Sequence, residues 1–278
     1  MPVRSALMTV MARAAEKAGK SLVRDFGEVE NLQVSKKGPK DFVSNADERS
    51  EKILREELAK ARPDFSFLGE ESGKHVGTGG EDAPCWIVDP LDGTTNFLHG
   101  LPHWCISIAL QRHGEIMAGL VFDPVQDEMF WAERGHGAYM NHRRLRVSAR
   151  KELGLALIHL SHNPARTPED KTEWDIFLRE MAELEPMVAG NRRMGSAALA
   201  LSYVAAGRLD ACVMRHFSIW DVAAARLIAI ESGAALASLV ERNHPIYDTS
   251  ILASTPGLFS QIQRRLRSVR TKTESSAS

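Results

Sequence analysis

The chain has 278 residues, of which 44% are hydrophobic and 26% charged, and its formal net charge is −1. That is the composition of a globular protein with ample core, and it offers no global field to recruit nucleic acid or an anionic membrane. No apolar run approaches the roughly 18 residues that span a bilayer, and Arg4, Arg13, Glu16 and Lys17 interrupt any leader-like core, so a cytoplasmic location is expected.

In chain order, Val3, Leu7, Val10, Met11, Ala14, Ala18 and Leu22 recur at helical spacing and predict an opening amphipathic helix that Gly27 stops. A short strand is expected at 31–34, then a polar loop at 35–40 with three lysines. Such a loop is ordinarily a solvated face, although one lysine beside an anion site would help to bind it. A second helix follows, with Ile53, Leu54 and Leu58 inward and Asp47 in its first turn. An acid there complements the helix dipole, and it also suits a cation; both readings stand. Residues 65–68 form a short apolar strand that empties into Gly69-Glu70-Glu71-Ser72.

The central stretch, 86–97, reads Trp-Ile-Val-Asp-Pro-Leu-Asp-Gly-Thr-Thr-Asn-Phe. It begins as a buried strand that should end near Asp89, because Pro90 cannot donate to a sheet ladder. Asp89 and Asp92 then stand at a strand exit, the usual ligand position of an α/β sheet. Gly93 permits a tight backbone, and Thr94 and Thr95 suit a helix start whose amides face an anion. Carboxylates for a hard cation beside amides for a phosphate point to metal-assisted phosphate chemistry.

Beyond it, 106–110, 119–122 and 129–132 are β-prone runs separated by Gly or Pro turns, as in antiparallel strands. His99 and His103 have the spacing of a helical metal pair, but Gly100 and Pro102 argue against a helix and so against zinc. Arg143, Arg144, Arg146, Arg150 and Lys151 read as a solvated face, since no aromatic platform interleaves them. A second half is expected from about 151 to 270, after a first half of 1–150. It holds a polar helical region (162–186), a helix opened by Gly195-Ser196-Ala197-Ala198, a strand at 209–214 and an almost wholly apolar helix from Ile219. Asp221 at the head of that helix needs a partner, either a cap or a metal. A short helix (Leu258 to Leu266) and a disordered tail at 271–278 should close the chain. Cys85, Cys105 and Cys212 lie apart in apolar sequence, as reduced core thiols do.

Three acidic points therefore remain: Glu70, the Asp89/Asp92 pair and Asp221. Oxygen ligands of this kind suit Mg²⁺ or Mn²⁺ and not zinc. With their neighbours they make G-E-E-S, D-P-x-D-G-T-T-N-F and W-D-x-A-A runs, in an order and with separations that closely resemble the inositol monophosphatase family. The resemblance covers nearly the whole chain. It implies a mixed α/β (α+β) fold, the layered α-β-α-β-α sandwich of sugar phosphatases, commonly homodimeric and lithium-sensitive. It further implies Glu70, Asp89, Asp92, Asp221 and the Leu91 carbonyl as metal ligands for two or three Mg²⁺ ions, with Asp47 near the weakest. Glu70 and Thr94 resemble the pair that orients the attacking water. Gly93 and Thr94 would bind phosphate, and Gly195, Ser196, Ala197 and Asp221 would line the substrate. Lys36 lies where the family carries a basic residue.

Two features depart from the family pattern. A Glu seven residues before the Trp-Asp aspartate usually meets a sugar hydroxyl, and here that position is Met214, followed by Arg215 and His216. The pair Arg215/His216 would suit a second phosphate or another anion, or equally the surface. The Gly-Gly expected near 231–235 is Glu-Ser-Gly-Ala-Ala, and the hairpin after it is short, which predicts a trimmed sheet edge. The reaction expected is hydrolysis of a small polyol or sugar phosphate, inositol 1-phosphate first, by in-line attack of water. Fructose 1,6-bisphosphate, histidinol phosphate and a 3′-phosphorylated nucleotide are the alternative substrates, and a low-turnover binding protein is the alternative class.

Overall fold

The computed structural model describes residues 4–28, 34–38, 41–163, 171–239 and 250–276. Helix α1 (Ala6–Phe26) starts at Ser5, whose Oγ accepts the Met8 amide at 3.1 Å. Strands β1 (Val34–Gly38) and β2 (Asp41–Ser44) form an antiparallel hairpin. The segment expected as a polar loop is thus strand over 35–38, because backbone pairing along a hairpin does not require apolar side chains. Residues 31–33 and 39–40 lie outside the described residues.

Helix α2 (Asn45–Ala61) leads to β3 (Ser66–Gly69), β4 (Gly73–His75), β5 (Cys85–Asp92), the short α3 (Thr94–Leu98), β6 (Cys105–Arg112), β7 (Glu115–Asp123), β8 (Glu128–Glu133), β9 (Ala138–Met140) and β10 (Arg143–Arg144). The eight strands from β3 to β10 form one sheet in the order β10-β9-β8-β7-β6-β5-β3-β4. Its neighbours are antiparallel except β3 and β5, which run parallel. The expected end of β5 at Asp89 is corrected: the strand continues to Asp92. Asp89 pairs with Ser107 and Asp92 with Cys105, so one extra residue is bulged out where Pro90 sits. A bulge is where a central strand can hold a proline, since the missing N–H falls outside the ladder.

The second half supplies β11 (Leu157–His162), α4 (Lys171–Leu184), β12 (Gly190–Arg192), α5 (Ala197–Ala205), β13 (Ala211–Arg215), α6 (Ile219–Glu231), β14 (Ala235–Ser238), β15 (Ile251–Ser254) and α7 (Pro256–Ser276). The sheet order is β12-β11-β13-β15-β14, parallel through β13 and antiparallel beyond it. The closing helix is far longer than expected and takes in most of the supposed tail. Its inner residues Leu258, Ile262, Leu266 and Val269 are buried. The trimmed hairpin around 243–245 lies outside the described residues.

Alternation along the strands assigns the layers. Trp86, Val88, Ile106, Ile108 and Leu120 face α1 and α2 in one core. Ile87, Ala109 and Val121 on the other face join α5, α6, Cys212 and Met214 in a second core. Ala211, Val213 and Leu160 pack with α4 and α7 in a third. The result is the expected α-β-α-β-α sandwich. Helix α6, apolar nearly all round, is buried in the middle layer as its sequence demands. It lies so close to the large sheet that a Cβ on Gly119 would stand 2.6 Å from the Ala224 carbonyl oxygen.

Candidate active site

The parallel pairing of β3 with β5 makes the site's first contact. Gly69 registers with Val88, and the Glu70 amide donates to the Val88 carbonyl at 3.2 Å, so both strands deliver an acid to the same edge. Glu70 is half-buried there, and Asp89 is buried. Asp89 Oδ1 accepts the Leu91 amide at 2.9 Å, closing the bulge on itself.

Asp221 arrives from the other sheet's side. The Ser107 hydroxyl, on the residue paired with Asp89, donates to the Trp220 carbonyl at 3.0 Å. Asp221 is also the third residue of α6, where its Oδ2 accepts the Ser218 amide at 2.7 Å in a capping box. The alternatives left open for it therefore combine: it caps its helix and also joins a cluster. Carboxylate oxygens of Glu70, Asp89 and Asp221 all lie within 4.8 Å of one another.

Asp92 is placed differently. It accepts the Ser196 hydroxyl at 2.6 Å and the Ala198 and Ala197 amides at 2.7 and 3.2 Å. It thus caps the first turn of α5, where an acid meets the positive end of a helix. Ser196 in turn caps α5 by accepting the Leu199 amide at 3.2 Å. Gly195 (φ +84°) makes the turn before it, and a Cβ there would stand 2.8 Å from the Asn96 amide nitrogen. Asn96 donates to the carbonyls of His103 and Met194 at 2.7 and 2.8 Å, which ties the Gly-Thr-Thr-Asn turn to the 194–197 wall. Gly93 at φ +101° opens α3, as its sequence position requires. The Thr94 hydroxyl donates to the Leu91 carbonyl at 3.0 Å.

Three further positioning residues escaped the sequence reading. The Ser50 hydroxyl on α2 donates to the bulged Pro90 carbonyl at 2.9 Å. On the next residue, the Glu51 carboxylate accepts the Glu71 and Ser72 amides, each at 2.8 Å, and so fixes the exit that carries Glu70. Ser107 is the third. A signal existed for two of them: Ser50 and Glu51 lie on the same helical stripe as Leu54 and Leu58, and a polar patch on a buried stripe needs a partner.

The electrostatics follow from crowding. Burial, then the Glu70, Asp92 and Asp221 carboxylates, push the Asp89 acid well above its ordinary range. Burial also raises Asp92, against the Ser196, Ala198 and Ala197 hydrogen bonds that favour its charged form. A divalent cation is the natural remedy for converging buried carboxylates, and an all-oxygen set suits Mg²⁺ or Mn²⁺. The donor set therefore fits the metal that the sequence implied. Burial lifts the Cys105 and Cys212 thiols far above neutrality and Cys85 to about 11, and all three are free thiols, as expected.

The other sequence candidates separate. Asp47 is buried on the first turn of α2, outside the three-carboxylate cluster. Met214 is wholly buried in the middle core. Arg215 is buried and held by Glu180 in a bidentate pair (2.7 and 2.5 Å), so it is not an exposed cation for a second phosphate. Arg143, Arg144, Arg146, Arg150 and Lys151 are exposed. The side chain of Lys36 lies outside the described residues.

Comparison with known proteins now decides the family. The model of the inositol monophosphatase family matches residues 4–272. The chain belongs to the inositol monophosphatase family. It is 56% identical to the inositol-1-monophosphatase of Rhizobium meliloti over 83% of this chain and 84% of that one. It is 40% identical to the Nus factor SuhB of Xylella fastidiosa, covering 81% of this chain and 79% of the relative. The crystal structure of the extragenic suppressor protein suhB from Bartonella henselae superposes with a TM-score of 0.87 at 46% identity, over 94% of this chain and 98% of that one. Family membership makes the three-carboxylate edge the candidate active site.

Proposed function

We propose that the protein is a Mg²⁺-dependent phosphatase that hydrolyses a phosphate monoester of a small polyol or sugar, inositol 1-phosphate first, by direct attack of water. The observation that carries this reading is the convergence of Glu70, Asp89 and Asp221 within 4.8 Å beside the Gly93–Thr94 turn. When bound there, a divalent cation supplies a water of lowered pKa and offsets the charge of the phosphate. The chain's own residues do the rest. Glu70 and Thr94 orient the attacking water, the amides of Gly93 and Thr94 bind phosphate oxygens, and Asp92 fixes the α5 wall (Gly195, Ser196, Ala197) against which the alcohol portion lies. Asp92 and the Leu91 carbonyl would hold a second cation, and Asp47 a third. In this reading the first half, 1–150, cuts the phosphate, and the second half, 151–270, contributes Asp221 and the substrate wall.

The buried Arg215 weakens the case for bisphosphates, which drew on that cation. The name Nus factor carried by several relatives favours, as a second reading, a binding role on the same scaffold. One experiment addresses both: free-phosphate release from inositol 1-phosphate, fructose 1,6-bisphosphate, histidinol phosphate and a 3′-phosphorylated nucleotide, with and without Mg²⁺. Turnover that requires Mg²⁺ and falls at least about 10²-fold in Asp92→Asn, as expected when a preorganised electrostatic group is lost, supports the phosphatase. Activity that survives Asp92→Asn and Glu70→Gln almost intact overturns it. Cytoplasmic location, lithium inhibition and a homodimer belong to the same reading, the last checked by sedimentation.

A further inference from the structure

Beyond the cluster itself, the β13–α6 connection carries a buried charge network that the reaction above does not use. Arg215 ends β13, and its guanidinium forms two bonds to Glu180 on α4, Nε to Oε2 at 2.7 Å and Nη2 to Oε1 at 2.5 Å. Both side chains are essentially without exposure. A second α4 acid, Glu173, lies 3.6 Å from Arg215 Nη1 and 3.1 Å from His216 Nε2. His216 itself is left-handed, with φ +60°, a conformation that costs a residue with a Cβ and persists only where its surroundings impose it. Its amide donates to the Ser250 hydroxyl at 3.0 Å, and the Arg215 carbonyl accepts the Asn163 amide at 3.0 Å. Two residues later Ser218 caps α6, and three after that comes Asp221.

We propose that Arg215 and His216, anchored by Glu180 and Glu173, are positioning residues for Asp221: α4 fixes the left-handed turn that sets where the third carboxylate of the cluster stands. Three physical points support this. A buried ion pair contributes little net stability, because desolvation offsets most of the Coulombic gain, so its worth lies in geometry. The fork of an arginine bound twice by one carboxylate defines orientation as well as distance. The left-handed position holds His216, which lacks the freedom of Gly, and the contacts to Ser250 and Glu173 keep it there. Ser107 holds Trp220 from the large-sheet side, and the Arg215/His216 network holds the same connection from the opposite side. Asp221 is thus fixed between two layers of the sandwich, and α4 is coupled to the three-carboxylate cluster.

The proposal rests on Asp221 being a metal ligand, and Mn²⁺ binding, read from the electron paramagnetic resonance signal of free Mn²⁺, tests the two separately. The double variant Glu180→Leu/Arg215→Met removes both partners of the central pair, a change that is often neutral or stabilising. Its thermal midpoint should stay within a few degrees of wild type, while Mn²⁺ affinity falls about 10-fold, the lower end of what losing a partner bonded directly to a ligand costs. His216→Gly separates strain from anchoring. Glycine adopts φ +60° freely, so a merely structural role leaves Mn²⁺ binding unchanged, whereas positioning predicts weaker binding without loss of stability. If the double variant does not fold, Glu180→Gln, which keeps the shape and one hydrogen bond, decides with an intermediate loss. Wild-type Mn²⁺ affinity in the folded double variant, or in Glu180→Gln in its place, overturns the proposal. A wild-type protein that takes up no Mn²⁺ overturns the underlying reading of Asp221 instead.

Discussion

The Ser107 hydroxyl donates to the Trp220 carbonyl at 3.0 Å, and Ser107 is the residue paired with Asp89 across the β5–β6 ladder. One small side chain on β6 therefore joins the strand paired with Asp89 to the helix that carries Asp221. Ser107→Ala keeps the fold and loses about 1 kcal/mol, the net worth of a typical hydrogen bond. The three-carboxylate cluster should suffer more than the fold does. Mn²⁺ affinity falls several-fold in titrations that show near-normal urea unfolding, and equal losses of both would make Ser107 a core residue only.

Glu51 and Gly69 form a matched pair. The carboxylate binds two amides of the Glu71–Ser72 turn, and a Cβ on Gly69 would lie 2.3 Å from Glu51 Oε2. Glu51→Ala costs about 2–4 kcal/mol, since two charge-assisted bonds at a buried position go unmade. Glu51→Gln is intermediate, because its amide offers a single acceptor oxygen to two donors. Gly69→Ala is expected to lower phosphate release by displacing Glu51, with thermal melting as the control. Unchanged activity in a folded Gly69→Ala protein would refute the link.

Protons and a divalent cation compete for Asp89. Its folded pKa is raised, chiefly by burial. The metal-free fold therefore has this group's full stability below the ordinary carboxylate range, near pH 4, and loses it as pH rises through the raised value. On the proposed function Mg²⁺ would take the deprotonated site, so the increase in melting temperature on adding Mg²⁺ should be larger at pH 8 than at pH 5. Melting curves at the two pH values, with and without Mg²⁺, check this. An equal increase at both contradicts the assignment of Asp89.

Two buried histidines act in the opposite sense. Burial holds His159 and His162 down to about 4. In the unfolded chain both protonate near pH 6.5, so their contribution is complete above that value and is lost as pH falls from about 6.5 toward 4. His162 lies among the rings of Trp174, Phe177 and His216. His162→Phe should reduce the fall in urea midpoint between pH 7 and pH 5, and a fall as steep as wild type would exclude His162 as a cause.

Much of the candidate site was legible because its signals are local. Gly93 at a positive φ, Asp221 at a helix head, a polar Gly-Glu-Glu-Ser exit and an apolar α6 are each written in a few adjacent residues, and each stands where the pattern placed it. Periodicity gave the buried face of the helices, whereas the layered sandwich was implied by the family resemblance. What the sequence determined by itself was therefore the kind of residue at each strand end and the face each helix buries. The tertiary structure decided which charges meet. Only the parallel β3–β5 register sets Glu70 beside Asp89, and only the bulge at Pro90 lets β5 run on to Asp92 and engage α5. Arg215 shows the difference most plainly: next to His216 it reads as a cation for an anionic substrate, yet Glu180, thirty-five residues away, neutralises it in the core. The reason is physical: short-range pattern encodes conformation and burial, whereas the fate of a buried charge depends on a partner that only the folded chain brings near.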